Sequence, residues 1–168
     1  MSWNRNNESL TQYTPRNYMA DGVVFLQDEL TDENCAFLIG DMHKYIMMDD
    51  AAGEKELNII INSPGGDATV MNQISALITM AKLRQIKVVT WVLGFAASAA
   101  SFIAVQGNER WMSRNASHMI HFGSIFEFYT KETELAKSYR YNQEWSKRMQ
   151  KVYLENCPKL TPEKLKEL

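Results

Sequence analysis

Gly94-Phe95-Ala96-Ala97-Ser98-Ala99-Ala100-Ser101 sets one serine, Ser98, in a glycine-led run of very small residues. Such a run after an apolar strand lets backbones approach closely and can present a hydroxyl at the mouth of a helix. The chemistry this would serve is acyl transfer, which needs a serine nucleophile, an imidazole to take its proton and backbone N–H groups for the developing oxyanion. Ser98 supplies the hydroxyl, and the N–H of Ala99, at the positive end of the following helix, can face a negative oxygen. The tight Pro64-Gly65-Gly66 turn is placed to offer a second N–H, because glycine tolerates backbone geometry that other residues resist. For the base, His118 and His121 compete. They lie an odd number of positions apart, so within a strand they face opposite sides, and spacing alone does not decide between them. His43 sits in a helix with no motif behind it.

The elements that must position these groups alternate in type. Val23 to Leu26 reads as a first strand, and Thr31 caps a helix that opens with Asp32 and Glu33 and continues through Phe37, Leu38, Met42 and Ile46. Asp49 to Lys55 is a charged loop. Leu57 to Asn62 is a continuous apolar run of the kind found in strands covered on both faces. Ser63-Pro64-Gly65-Gly66 breaks it, and a helix follows with Val70, Ile74, Leu77, Ile78 and Ala81 on one stripe. Val88 to Leu93 is the next strand, followed by the Ser98 segment as a short helix. A strand is expected near Arg110 to Met112, and another begins at His118 to His121. This alternation predicts an α/β fold with parallel pairing through right-handed crossovers. The two glycine- and serine-bearing turns then follow successive strands at one sheet edge, where parallel sheets place their ligands. From about Thr130 to Asn156 one long helix carries Leu135, Tyr139, Trp145, Met149, Val152 and Tyr153. It is longer than its own core requires, which suits a partner surface.

Taken in order, Ile61-Asn62-Ser63-Pro64-Gly65-Gly66, Gly94-Phe95-Ala96-Ala97-Ser98 and Met119-Ile120-His121 resemble the three signature blocks of ClpP, the self-compartmentalising serine proteases. The likeness runs over roughly residues 22–168 and is strongest between Ile59 and His121; each block alone is weak, and all three in register are specific. The resemblance implies a ClpP/crotonase-type spiral of β-β-α units with a long protruding handle helix. It implies Ser98 as nucleophile, His121 as general base, and Gly66 and Ala99 as oxyanion donors. It also implies a homo-oligomer of two stacked heptameric rings (a tetradecamer), an AAA+ unfoldase that feeds it, unfolded polypeptide as substrate, and no cofactor or metal. Residues 1–20 would be a flexible arm at the axial pore, and Asp21 to Leu168 one catalytic domain.

Three departures stand out. Ala99 replaces the family's usual methionine, Phe122-Gly123 replaces its usual Gln-Pro, and no aspartate here matches the third triad member. The family's aspartate lies beyond the helix that Thr161-Pro162-Glu163 begins, and the chain stops at Leu168, so it reads as cut short. Asp67, beside the oxyanion turn, follows the wrong strand for triad geometry. The missing aspartate keeps a weakly catalytic, ClpR-like structural subunit in play, and the shared oxyanion architecture keeps a crotonase-type acyl-CoA enzyme.

Bulk composition is ordinary for a soluble globular protein. The 168 residues are 45% hydrophobic and 23% charged, with 18 Lys plus Arg against 20 acids and a formal charge of −2. That length supports one domain with a real core, and that balance argues against a nucleic-acid binder. Cys35 and Cys157 follow no metal spacing, and no apolar run approaches a membrane span, so a reduced, cytoplasmic setting is expected.

Overall fold

The computed structural model describes residues 22–48, 55–121 and 132–166. The polar arm, most of the Asp49–Lys55 loop, Phe122-Gly123 and Leu168 lie outside the described residues, as does the side chain of Leu135. Among these residues five strands form one parallel sheet: β1 (Val23–Leu30), β2 (Glu56–Gly66), β3 (Lys87–Ala97), β4 (Glu109–Met112) and β5 (Ser117–Met119). They run in the order β1-β2-β3-β4, with β5 also paired to β3. The helices are α1 (Asp32–Met47), α2 (Ala68–Leu83), α3 (Ala99–Ala104), α4 (Glu132–Asn156) and α5 (Pro162–Lys166). A mixed α/β fold with wholly parallel pairing is therefore the observed architecture.

One face of the sheet carries the core. Leu57, Ile59 and Ile61 of β2 are fully buried, as are Leu26 and Leu30 of β1 and Val88 of β3. Each such aliphatic side chain contributes about 2 kcal/mol on leaving water. Helix α2 closes over them with Val70, Ile74, Leu77, Ile78 and Ala81, all buried as their helical spacing predicts. Helix α1 adds Leu38, Met42 and Ile46, but Phe37, expected among them, is 76% exposed. It sits one position off the stripe, and three apolar neighbours at the right spacing suffice to seat the helix.

The expectation that β2 is covered on both faces is not met within the described chain. Its burial alternates along the strand. On the opposite face the register aligns Phe25, Ile60, Trp91 and Trp111 in a row across β1 to β4. Trp91 and Trp111 stack with ring centroids 5.4 Å apart, and Trp91 Nε1 donates to Asn58 Oδ1 at 2.8 Å. Beside this row Lys87 bridges Glu56 at 3.2 Å and Glu109 at 2.7 Å, tying three strands at their start. The apolar run thus reflects a face that is hydrophobic yet has no helix of this chain against it among the described residues.

Asp67 starts α2. Its Oδ1 accepts from the Thr69 and Val70 N–H groups, as an N-cap residue does for otherwise unpaired donors. The Val70 N–H above all, with Thr69, holds this carboxyl below its ordinary value. A group whose folded pKa is depressed stabilises the fold above its unfolded value and loses that contribution as pH falls through the folded one. Asp67→Ala is therefore expected to cost about 1 kcal/mol at neutral pH. In urea titrations that cost shrinks in acid; a cost that stays constant with pH would refute the ionised cap.

Candidate active site

Strand β3 ends at Ala97, and the chain turns at once into α3. Ser98 makes the turn with φ 53° and ψ −124°, one of three non-glycine residues at positive φ among those described. Such a conformation costs of order 1–3 kcal/mol and persists only where its surroundings fix it. Two hydrogen bonds do so: Ser98 N–H donates to the Met119 carbonyl at 3.0 Å, and the Ser98 carbonyl accepts from Phe102 N–H at 3.1 Å. The Ser98 side chain does not cap α3, so its hydroxyl is left for other work. All of α3 is buried, its alanines included, where it packs against β2, β3 and α2.

Against this turn lies the Pro64-Gly65-Gly66 segment. Gly65 has φ +94°, and a Cβ placed on it would fall 2.6 Å from the Ala97 carbonyl oxygen, 2.8 Å from Ser98 Cβ and 2.9 Å from the Ala99 nitrogen. The glycine therefore permits a backbone-to-backbone approach that brings the two turns together. Ser63, buried beneath, holds the segment. Its Oγ donates to the Asp28 carbonyl on β1, where the β1–β2 register shifts, and accepts from Gly65 N–H at 3.1 Å. Gly94, which leads the serine run, serves differently: a Cβ there would strike Asn62 Oδ1 at 2.5 Å, so it makes room for a side chain.

The parallel pairing of β3 with β5 matches Ala96 to His118 and Ala97 to Met119. His121 therefore emerges just past the level of Ser98. Ser98, Gly66, Ala99 and His121 line a single cavity of about 130 Å³, together with Ala68 and Met71 of α2 and Trp145 and Met149 of α4. No hydrogen bond joins Ser98 Oγ to His121 among the described residues; such contacts commonly tighten only when substrate is bound. His118 is not on this cavity. It is half-buried, burial pushes its pKa down, and it hydrogen-bonds the Ser101 backbone. Asp67 is committed to its helix cap, and among the described residues no carboxylate hydrogen-bonds His121.

Helix α4 reaches the site from behind. Tyr153 is fully buried, its OH lies 2.6 Å from Ser101 Oγ, and its ring meets Phe102 edge-on. Burial pushes its pKa up to about 12, so the phenol stays neutral. Neither cysteine competes as a nucleophile, since burial raises the pKa of both Cys35 and Cys157 and the thiolate is the reactive form. No group of three or more His, Cys, Asp or Glu among the described residues could hold a metal, and none of the described helices is long and apolar enough to cross a membrane.

The sequence pattern singled out Ser98, His121, Gly66 and Ala99 but passed over Ser63, Met71 and the cavity role of Trp145 and Met149. The available signal was their spacing: Trp145 and Met149 are i,i+4 on one helix, and Ala68 and Met71 are i,i+3 in the turn that follows Gly66.

A serine at a positive-φ strand-to-helix turn, facing a glycine turn at the edge of a parallel sheet, marks an α/β protein with its candidate site at the sheet edge. The profile of one family, Clp protease, matches residues 6–167, and the chain belongs to that family. Similar proteins include the ATP-dependent Clp protease proteolytic subunit of Leuconostoc citreum, 30% identical over 109 residues (64% of this chain, 52% of the relative). Subunit 1 of Bifidobacterium longum is 31% identical over 130 residues (74% and 53%), and the Chlorokybus atmophyticus subunit is 37% identical over 101 (59% and 42%). The chain spans about half the length of the curated relatives it matches.

Proposed function

We propose that this chain is a serine endopeptidase subunit that cleaves unfolded polypeptide. The observation that carries the reading is the convergence of Ser98, His121, Gly66 and Ala99 on one cavity. In the mechanism, His121 takes the Ser98 proton as Oγ bonds to the scissile carbonyl carbon. The carbonyl oxygen becomes an oxyanion held by the Ala99 and Gly66 N–H groups. His121 then protonates the leaving amine, and water, deprotonated by the same imidazole, releases the acyl group and restores Ser98. One oxyanion donor of this kind is worth about 10²–10³ in rate.

Assembly belongs to the same proposal. Trp111, 54% exposed and stacked on Trp91, offers an apolar surface that association would cover, and the relatives' description as ATP-dependent subunits supports an AAA+ unfoldase as the feeding partner. Stacked heptameric rings and a cytoplasmic setting complete the reading. A second reading has its own support: with no described carboxylate on His121, the chain would act chiefly as an assembly subunit with feeble catalysis.

A fluorophosphonate probe separates the two. Covalent labelling of the purified protein, mapped to Ser98 by peptide mass and lost in Ser98→Ala, is the expected result. Light scattering on the same sample reports assembly. A folded, assembled protein that takes no label would sink the peptidase and leave the structural subunit; labelling at Ser98 also excludes an acyl-CoA enzyme that does not use this serine.

A further inference from the structure

We infer that Ser63 is a positioning residue for the oxyanion hole: its hydroxyl ties the diglycine turn to β1 and so aims the Gly66 N–H at the Ser98 turn. The inference rests on the peptidase reading above and adds a residue to its machinery.

The turn needs such a tie because of its composition. Gly65 and Gly66 have φ of +94° and +147°, and glycine loses more conformational freedom on ordering than any other residue. Two in succession form a hinge unless something outside them fixes both ends. On the C-terminal side, Asp67 N–H donates to the Leu30 carbonyl of β1 at 2.8 Å. On the N-terminal side the ladders fail. Pro64 has no N–H to give, and the pairings of β2 with β1 and β3 shift register between Gln27 and Glu29 and between Ile61 and Ser63. Ser63 spans that gap. A hydroxyl carries one donor and two acceptor positions. Here the O–H goes to the Asp28 carbonyl, and a lone pair takes the Gly65 N–H at 3.1 Å. Ser63 is 1% exposed, so water competes for neither bond.

The same tie decides which glycine can donate. Successive N–H groups of an extended chain point to opposite sides. Those of Gly65 and Asp67 turn toward β1, onto Ser63 Oγ and the Leu30 carbonyl. The Gly66 N–H between them therefore turns the other way, to the side where β3 ends in the Ser98 turn. Without the Ser63 hydroxyl the two glycines are held at one end only, and that N–H loses its aim. An oxyanion donor is used in the tetrahedral state and not in the bound substrate, so the loss falls on kcat rather than on KM.

The test uses the purified full chain, a fluorogenic peptide and two inhibitors of one sequence. A peptide aldehyde bonds through its carbonyl carbon to Ser98 Oγ, its oxygen becoming the oxyanion as His121 takes the serine proton. The corresponding peptide alcohol binds without forming a bond. Ser63→Ala is expected to lower kcat, counted per fluorophosphonate-labelled Ser98, by about tenfold to a hundredfold with KM unchanged. It should weaken the aldehyde by a similar factor and leave the alcohol as it was. Ser63→Cys, close in size but with a weakly hydrogen-bonding sulfur, should fall between. A serine that only stabilises the fold would lower the Tm of both variants and leave kcat and the aldehyde-to-alcohol ratio at wild-type values. That result overturns the inference while leaving the peptidase intact. If Ser63→Ala does not fold, Ser63→Cys decides the question by the same two readings. A wild type that neither hydrolyses peptide nor takes the fluorophosphonate label removes the peptidase reading, and this inference with it.

Discussion

Ser98→Ala and His121→Ala are each expected to abolish most peptide hydrolysis, and the double variant to be no worse than either single one. The two residues act as a unit: without the base the hydroxyl is a weak nucleophile, and without the hydroxyl the base has no proton to take. In serine proteases of this type either loss costs roughly 10⁶ in kcat, and removing the orienting aspartate alone costs roughly 10⁴. The size of the loss is therefore diagnostic. A drop of about 10⁶ means that a carboxylate outside the described residues serves His121, and a drop nearer 10² means that the imidazole works unsupported. Steady-state kinetics on the three variants decide the matter. Losses that multiply in the double variant would show that Ser98 and His121 serve different steps, contrary to the mechanism proposed.

Gly65→Ala comes next in size, although Gly65 touches no substrate in the mechanism. The added methyl would meet three atoms of the Ser98 turn within 2.9 Å, two of them backbone, at a φ of +94°. Backbone cannot rotate out of the way as a flexible side chain would, so the two turns must separate. Strain at this φ alone is worth of order 1–3 kcal/mol. Separation by even 1 Å misplaces an oxyanion donor relative to the nucleophile and is expected to lower kcat by about 10²–10³. Thermal denaturation and probe-labelling rate on one sample test both parts. A variant as stable and as quickly labelled as the wild type would mean that the contact between the turns carries neither strain nor catalytic geometry.

Much of the fold was legible because the core side of each element is written in its spacing. The α2 stripe and the Thr31 cap follow from local chemistry that tertiary context did not override, whereas Asp67, weighed only for the triad, caps α2. The Leu57–Asn62 run misled because composition records that a face is apolar and not what lies against it. Phe37 misled for the converse reason: an apolar residue beside a stripe does not reveal its angular position. At the site, the serine and the glycine turn were visible as types at a spacing. Spacing alone left His118 and His121 open; the Met119-Ile120-His121 block pointed to His121, which lines the cavity while His118 does not. Ser63 and Trp145 were hidden because a buried serine and a helical tryptophan have ordinary structural uses, and only their three-dimensional neighbours distinguish them.

The bond from Ser98 N–H to the Met119 carbonyl has a consequence for how the molecule comes to exist. The strand pairings in the sheet are all parallel, so each joins segments separated by an intervening connection. Contacts of such high sequence separation form late and slowly, because chain entropy is spent before they repay it. The strained turn at Ser98 needs β5 in place, and among the described residues β5 pairs with β3 alone. During synthesis, therefore, Ser98 leaves the ribosome before the strand that shapes its turn and the helix that walls its cavity. A nascent or partly folded chain carries Ser98 without that geometry, so on the proposed reading peptide hydrolysis waits until β5 and α4 are in place.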